Sequence, residues 1–468
     1  MGTPVLDARR VVPGSFRDPS GFVFTEDGTL FRQVNRVYAE HYDRLMQSGL
    51  YAALTGAGLL VPHEESDLAA AYAPAAHKIL RPARIPFISY PYEWSFGQLK
   101  AAALLTLEVE KIARRHGMSL KDASAYNVQF RGSEPVLIDT LSFQARRDGE
   151  PWVAYRQFCQ FFVAPLALMS YCDARLNQLL RVFIDGVPLD IASRLLPWHT
   201  RLNARLGLHV HLHASAQKQK RFTAVPTEPA TGTPRMGQAA QAGVIDGLET
   251  TIRRLEWEPR GTVWADYYAD TNYTGPAFQE KTALVARFID AARPAVVWDL
   301  GANDGRFSRL ASDRGIGTVA FDMDPAAVEK NYRESVRRGE RQLLPLVLDL
   351  ANPSSGIGWA GDERMSLEAR GPADLVLALA LVHHLAIGHN VPLDRIADLF
   401  AVLGRSLVIE FVPKSDSQVQ RLLASREDVF PGYTRTDFEA AFRGRFTILE
   451  VAPIAGSERT LYLMKRVR

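Results

Sequence analysis

The chain is poor in cysteine: only Cys159 and Cys172 occur in 468 residues, both inside one apolar segment. This excludes a disulfide framework and a cysteine-based metal site, and it fits a reducing cytoplasm. An excess of one charge is also missing, since 55 Lys and Arg face 52 Asp and Glu for a net charge of +3. So small an imbalance gives no electrostatic footprint for nucleic acid, and no broad basic stripe with interleaved aromatics appears. Long apolar runs are lacking. The most apolar stretch, FCQFFVAPLALMSYC, is about 15 residues with a Gln and a Pro, short of the roughly 20 that a membrane span needs. It reads as a buried helix. The opening residues MGTPVLDARRVVPG hold no apolar segment of the secretory kind. No internal repeat is visible, so different parts of the chain are different domains rather than copies.

What is present is the composition of a folded, soluble protein, 47% hydrophobic and 23% charged. A chain of 468 residues is too long for one ordinary core, so two or more domains are expected. Residues 214–243 are rich in Pro, Gly, Thr, Ala and Gln and nearly free of large apolar side chains, a linker composition. The expected division is therefore 1–213, a linker over 214–243, and 244–468.

The second half alternates strand-like and helix-like segments. AVVWDL, GTVAFD, LLPLVLDL, ADLVLALAL, SLVIEFV, FTILEVA and TLYLMKR are strand candidates, several of them near-continuous apolar runs. DPAAVEKNYRESVRRG and VPLDRIADLFAVLG between them are amphipathic. The alternation predicts an α/β fold, a doubly wound sheet with ligands at the carboxyl ends of its strands.

VVWDLGANDGRF, residues 296–307, delivers a strand into a glycine-rich corner. A dinucleotide fingerprint would need glycine where Asn303 and Arg306 stand, and a Walker-type loop would need a lysine that GANDGRFS lacks. A phosphate ligand is disfavoured. What remains, Asp299, Gly301, Asn303 and Gly305, resembles the first motif of class I S-adenosylmethionine-dependent methyltransferases. The resemblance continues in order through Asp322 in AFDMDP, Asp349 in VLDL and the stretch PADLVLALALVHHL, and covers roughly 244–468.

It implies a Rossmann-like seven-stranded sheet flanked by helices, with S-adenosylmethionine as cofactor. Gly301 and Gly305 would allow the turn and close approach of backbone to the methionine portion, where Asp299 and Asn303 would hold polar groups. Asp322 would accept both ribose hydroxyls. Asp349 would receive the adenine amino group beside the backbone of Leu350, and Leu379 and Ala380 would line the path of the methyl. Methyl transfer from a sulfonium is an in-line displacement, so positioning and desolvation carry most of it. His384, before His383, is the candidate general base, against a reading in which it only shapes the loop. The cluster Trp264, Tyr267, Tyr268, Asn272 and Tyr273 is either a lid or a packed aromatic helix.

The first half opens with GFVFTEDGTLFRQV, a hairpin signal around DG. HYDRLMQSGLYAALTGAG follows as a helix candidate, then an extended ARIPFISYPYEW and a long helix ended by Gly117; residues 151–212 read mostly as further helices. Asp122, Asn127 and Asp139 have the order and spacing of a protein-kinase catalytic segment, and residues 1–213 resemble a kinase-like α+β domain. That resemblance implies ATP with magnesium at these three residues. Leu120 and Lys121 replace the expected histidine-arginine pair, Thr140 and Leu141 follow Asp139, and neither a G-x-G-x-x-G loop nor a V-A-I-K lysine is found. A degenerate domain that recognises or scaffolds is expected. A phosphotransferase with an accessory S-adenosylmethionine domain, and a non-catalytic scaffold, are the alternatives.

The alternating His209, His211 and His213 read as a domain edge rather than a metal tract. SERTLYLMKRVR reads as the last, antiparallel strand. No N-P-P-Y motif directs the methyl to a base nitrogen, and the HHL loop resembles small-molecule methyltransferases, so a small molecule or saccharide derivative leads as acceptor, with a protein also open. The pairing of the two halves resembles a bacterial methyltransferase group that includes nodulation proteins.

Overall fold

The computed structural model describes residues 11–68, 73–212, 237–259, 275–424 and 427–467. The chain divides into two units: residues 1–257 together with Ile357–Arg364, and residues 258–356 with 365–468. Among the described residues no helix is long and apolar enough to cross a membrane.

The first unit is α+β. Strands β1 (Gly21–Glu26), β2 (Thr29–Asn35), β3 (His63–Glu65) and β4 (Ala76–Pro82) form an antiparallel sheet in the order β1-β2-β4-β3. The DG hairpin forms as expected, because Asp27 and Gly28 both take positive φ (49° and 74°), the geometry a two-residue loop requires between strands of right-handed twist. The single helix expected over HYDRLMQSGLYAALTGAG is two, Ala39–Gln47 and Leu50–Gly56. Gly49 at φ 78° turns the chain between them.

The long helix runs Phe96–Arg115. Ser95 and Gln98 close a capping box at its start, and Gly117 at φ 71° lies past its end. Its buried Glu110 accepts the backbone N–H of Leu120 at 2.7 Å and the Ser119 hydroxyl at 2.8 Å, which fixes the segment leading to Asp122. Strand β5 (Met118–Leu120) pairs with β8 (Phe143–Ala145), and β6 (Val128–Arg131) with β7 (Glu134–Leu137). The apolar stretch near Cys159 is a buried helical segment, with Phe158 through Ala164 and Leu166 through Met169 out of water except Gln160.

The linker reading stops short of the structure. Residues 214–236 lie outside the described residues, but the helix Gln238–Arg254 runs straight through the 243/244 boundary and belongs to the first unit. GQAAQAG lacks large apolar side chains, yet Ala and Gln are good helix formers, and composition alone hid the helix. Ile245, Leu248 and Ile252 are buried, Lys111 pairs with Asp246 at 2.6 Å, and Arg114 donates to Gln241 at 2.8 Å.

The second unit is the α/β half. Strands β9 (Val296–Leu300), β10 (Gly317–Asp322), β11 (Leu343–Val347), β12 (Ala373–Ala378), β13 (Gly404–Phe411), β14 (Phe446–Pro453) and β15 (Thr460–Arg466) form one sheet in the order β11-β10-β9-β12-β13-β15-β14. All seven strands coincide with the segments expected from sequence. The first five in that order are parallel. β15 runs antiparallel to both β13 and β14, so the last strand in sequence sits inside the sheet, not at its rim.

Apolar side chains on both faces bury the sheet under its crossover helices. Val285, Phe288 and Ile289 of the helix Gly275–Ala292 pack on Val297, Leu375 and Val408. The strand order reverses between β9 and β12, which opens a crevice at their carboxyl ends.

If the helix Gln238–Arg254 is part of the first core, Leu248→Ala should cost about 2–5 kcal/mol of that unit's stability in urea unfolding. An unchanged midpoint would mean the helix is only docked linker.

Candidate functional site

At the end of β9 the chain turns through Gly301 (φ 77°), Asn303 (φ 51°) and Gly305 (φ 80°) into the helix Arg306–Ser312. The two glycines are required for different reasons. A Cβ on Gly305 would lie 2.5 Å from the Asn331 side chain, and one on Gly301 would press on Leu381 at 3.3 Å in a left-handed conformation that side chains avoid. The N–H groups of Gly301 and Ala302 both donate to the Phe321 carbonyl, at 2.8 and 2.9 Å, which ties the turn to the end of β10.

Asp322 is fixed by the same turn. One carboxylate oxygen accepts the N–H of Asn303 at 2.8 Å and the other the N–H of Asp324 at 2.9 Å. The N–H of Met323 also acts on this carboxylate, so three backbone donors hold it in place. Asp322 keeps part of its surface open to the cavity, while burial pushes its pKa up to about 6. Asp299, on β9, is buried and accepts the Ser308 hydroxyl at 2.6 Å; burial pushes it up to about 7.

These groups surround a cavity of about 310 Å³. Of the residues expected from sequence, Asp299, Gly301, Asn303, Asp322, Asp349, Leu350, Leu379, Ala380 and His384 all line it. Gly305 does not; it shapes the turn behind. Asp349 lies just past β11, where one oxygen accepts the Ala351 N–H at 2.8 Å. Ala380 takes φ 50° and donates its N–H to Glu410 at 2.9 Å, which holds the loop after β12 against the wall.

His384 faces the cavity, and its neighbour His383 is buried behind it with ring centroids 4.1 Å apart. His383 is therefore not a candidate base. Burial pushes His384 down to about 4, so its imidazole is neutral near pH 7.

Three features escaped the sequence reading. Phe278 and Lys281 of the helix Gly275–Ala292 line the cavity, as does Phe307. Lys281 reaches Glu410 of β13 at 2.6 Å, both nearly free of solvent. Arg459 extends the chain, lying 3.4 Å from Glu410 and making bonds of 2.7 and 3.0 Å to Asp416. A lysine four residues after Ala277 and four before Val285, in the apolar stripe of its helix, was a signal open to sequence. The aromatic cluster from Trp264 to Tyr273 and His213 lie outside the described residues. His209 bonds Tyr155, and His211 bonds Ser193 and Thr200.

In the first unit Asp122, Asn127 and Asp139 are brought into one cluster, but as partners of protein groups. Arg32 of β2 lies 2.6 Å from one Asp139 oxygen, Ser142 donates to the other at 2.6 Å, and Asn127 donates to Ser142 at 3.1 Å. Asp122 accepts the Ser124 N–H at 2.9 Å. Where the kinase resemblance implies a magnesium ion, Asp139 faces a guanidinium. Among the described residues no group of three or more His, Cys, Asp or Glu side chains is arranged to hold a metal ion.

No protein-family model matches the chain. Nodulation protein NoeA of Rhizobium meliloti (strain 1021) is 36% identical over 462 residues, 97% of this chain and 96% of that protein. Among solved structures, the magnesium protoporphyrin IX methyltransferase ChlM of Synechocystis, with bound SAH, is 18% identical; the match covers 44% of this chain and 93% of that one, with a TM-score of 0.31. The N-methyltransferase NodS of Bradyrhizobium japonicum is 13% identical over 42% of this chain and 98% of its own, also with a TM-score of 0.31.

Asp299 and Asp322 titrate in the fold above the ordinary carboxylate value of 3.8. Between about pH 4 and 7 the folded state then binds more protons than the unfolded one, so their contribution to stability falls as pH rises. Asp299→Asn should reduce the loss of stability between about pH 5 and 7.5, measured by urea unfolding. A wild-type slope equal to that of the variant would contradict the burial of this charge.

Proposed function

The chain belongs to the family of nodulation protein NoeA, and from that premise and the site just described we propose that it is a methyltransferase using S-adenosylmethionine. The observation that carries the proposal is Asp322, a carboxylate fixed at the end of β10 by the backbone N–H groups of Asn303 and Asp324 and set in the cavity wall. A carboxylate so placed can accept two vicinal ribose hydroxyls.

In this reading Asp322 holds the ribose and Asp349 with Leu350 frames the adenine. Asp299, Asn303 and the turn from Gly301 to Gly305 receive the amino acid end. The cofactor supplies an electrophilic methyl on a sulfonium. The protein's part is to align the acceptor and exclude water, for which Leu379, Ala380, Phe278 and Phe307 provide apolar walls. His384 and His389 stand where an acceptor would enter. With its pKa pushed down to about 4, His384 is a weak base but a good neutral hydrogen-bonding group, so its role is to orient the acceptor.

The HHL loop at His383 and His384, which resembles small-molecule methyltransferases, favours a small-molecule acceptor, saccharide derivatives included. The first unit then serves recognition or scaffolding rather than phosphotransfer, an assignment supported by the Arg32–Asp139 ion pair.

Two measurements test the proposal. Asp322→Ala should weaken S-adenosylhomocysteine binding by about 100-fold or more in calorimetry, the loss of two charge-assisted hydrogen bonds at about 1.5–3 kcal/mol each. Unchanged affinity would remove the ribose assignment. At saturating cofactor the methylation rate should show no inflection near the ordinary histidine value of about 6.5. One that vanishes in His384→Gln would restore that residue as the base.

A further inference from the structure

The first unit exposes large apolar side chains in one short stretch. Residues 195–202 read LLPWHTRL, and there Leu195, Trp198 and Leu202 are 48%, 73% and 76% exposed. An exposed apolar residue standing singly is ordinary at a protein surface, but a contiguous group marks a place where something binds.

Local geometry gathers the group. Trp198–Leu202 is a 3-10 helix, in which side chains three apart eclipse one another. Thr200 takes the inward row and is buried, so Trp198 stands with Arg201, and His199 with Leu202, on the two outward rows. Tyr171, at the end of the helix Ala164–Tyr171, adds a further ring: its centroid lies 6.0 Å from that of His199, which is 6.3 Å from that of Trp198. The Cys172 thiol donates to the Leu195 carbonyl at 3.6 Å and ties in the helix Leu189–Leu195. From behind, His211 bridges Ser193 at 2.8 Å and Thr200 at 3.0 Å. The patch is thus built in advance, and no loop has to be ordered before it binds.

Its charge selects the occupant. Residues 191–212 hold Arg194, Arg201 and Arg205 and no Asp or Glu. The flanking acids Asp173 and Asp190 face arginines, Arg175 at 2.6 Å and Arg194 at 3.7 Å. A platform for a sugar would surround its exposed ring with carboxylates or amides that take hydroxyls, which aliphatic Leu195 and Leu202 cannot do. Indole and phenol rings beside aliphatic side chains and arginines, with no unpaired acid in the stretch to repel a phosphate, suit a lipid headgroup layer. The small net charge of the whole chain conceals this local excess.

We propose that Tyr171, Leu195, Trp198 and Leu202, together with Arg201, form a docking surface for an anionic lipid bilayer, which holds the chain at a membrane without crossing it. The apolar side chains enter the boundary between headgroups and acyl chains, and the guanidinium stays among the phosphates. This surface belongs to the first unit alone and is independent of the cofactor reading.

The test is co-sedimentation of the full chain with vesicles of phosphatidylcholine and phosphatidylglycerol in equal parts. Wild type should pellet with them. The double variant Trp198→Ser with Leu202→Ser should bind about tenfold or more weakly, because two large apolar side chains no longer leave water. Arg201→Gln should weaken binding about fivefold on these vesicles. All three positions are exposed, so an unchanged urea midpoint certifies that each variant is folded. Wild type that stays in solution, or a folded double variant that binds as wild type does, would overturn the proposal. So would a wild-type dimer that ignores the vesicles and dissociates in the double variant, since the patch would then be an interface between two copies of the chain.

Discussion

The second unit is organised around ionisable groups at the carboxyl edge of its sheet, where apolar residues would be cheaper. Asp299, Lys281, Glu410 and Arg459 are buried there, and Asp322 is partly so. Each would be costly without partners. The fold supplies partners from separate elements: helix Gly275–Ala292 to β13, β13 to the β14–β15 connection, and β9 to the helix that follows it. Lys281 and Asp299 of this set line the cavity at the crevice that the strand order creates. The electrostatics and the topology therefore specify the same location, and perturbed titratable groups lining a cavity are a mark of function.

Backbone geometry fixes the remaining part of the site. Gly301, Asn303, Gly305 and Ala380 all take positive φ, and all belong to the two loops that follow β9 and β12. Strain at Asn303 and Ala380 is held in place by specific bonds, from the Asn303 N–H to Asp322 and from the Ala380 N–H to Glu410. Each loop is thus anchored to a carboxylate of the sheet. The cavity has rigid walls on both sides of the topological switch, as a site that works by positioning demands.

Much of this was legible in the sequence. Near-continuous apolar runs marked the seven strands, since a strand buried on both faces has no polar alternation to disguise it. The corner from Asp299 to Gly305 and the acids Asp322 and Asp349 were readable because they sit at strand ends, a position sequence preserves in order. What was hidden is non-local. Nothing near Lys281 in sequence points to Glu410, and nothing near Asp139 points to Arg32. The helix Gln238–Arg254 was missed because its amphipathic face is sparse, and Ala and Gln look alike in a linker and on an exposed helix surface. His383 and His384 are adjacent in sequence, yet only the structure separates a buried ring from one that faces the cavity.

The central claim is that the crevice between β9 and β12 is built for S-adenosylmethionine. A crystal structure of the full chain with S-adenosylhomocysteine tests it most directly. The account predicts ribose hydroxyls on the two oxygens of Asp322, the adenine beside Asp349 and Leu350, and the amino acid group at Asp299, Asn303 and the turn from Gly301 to Gly305. A nucleoside bound elsewhere, or with its ribose away from Asp322, would contradict it.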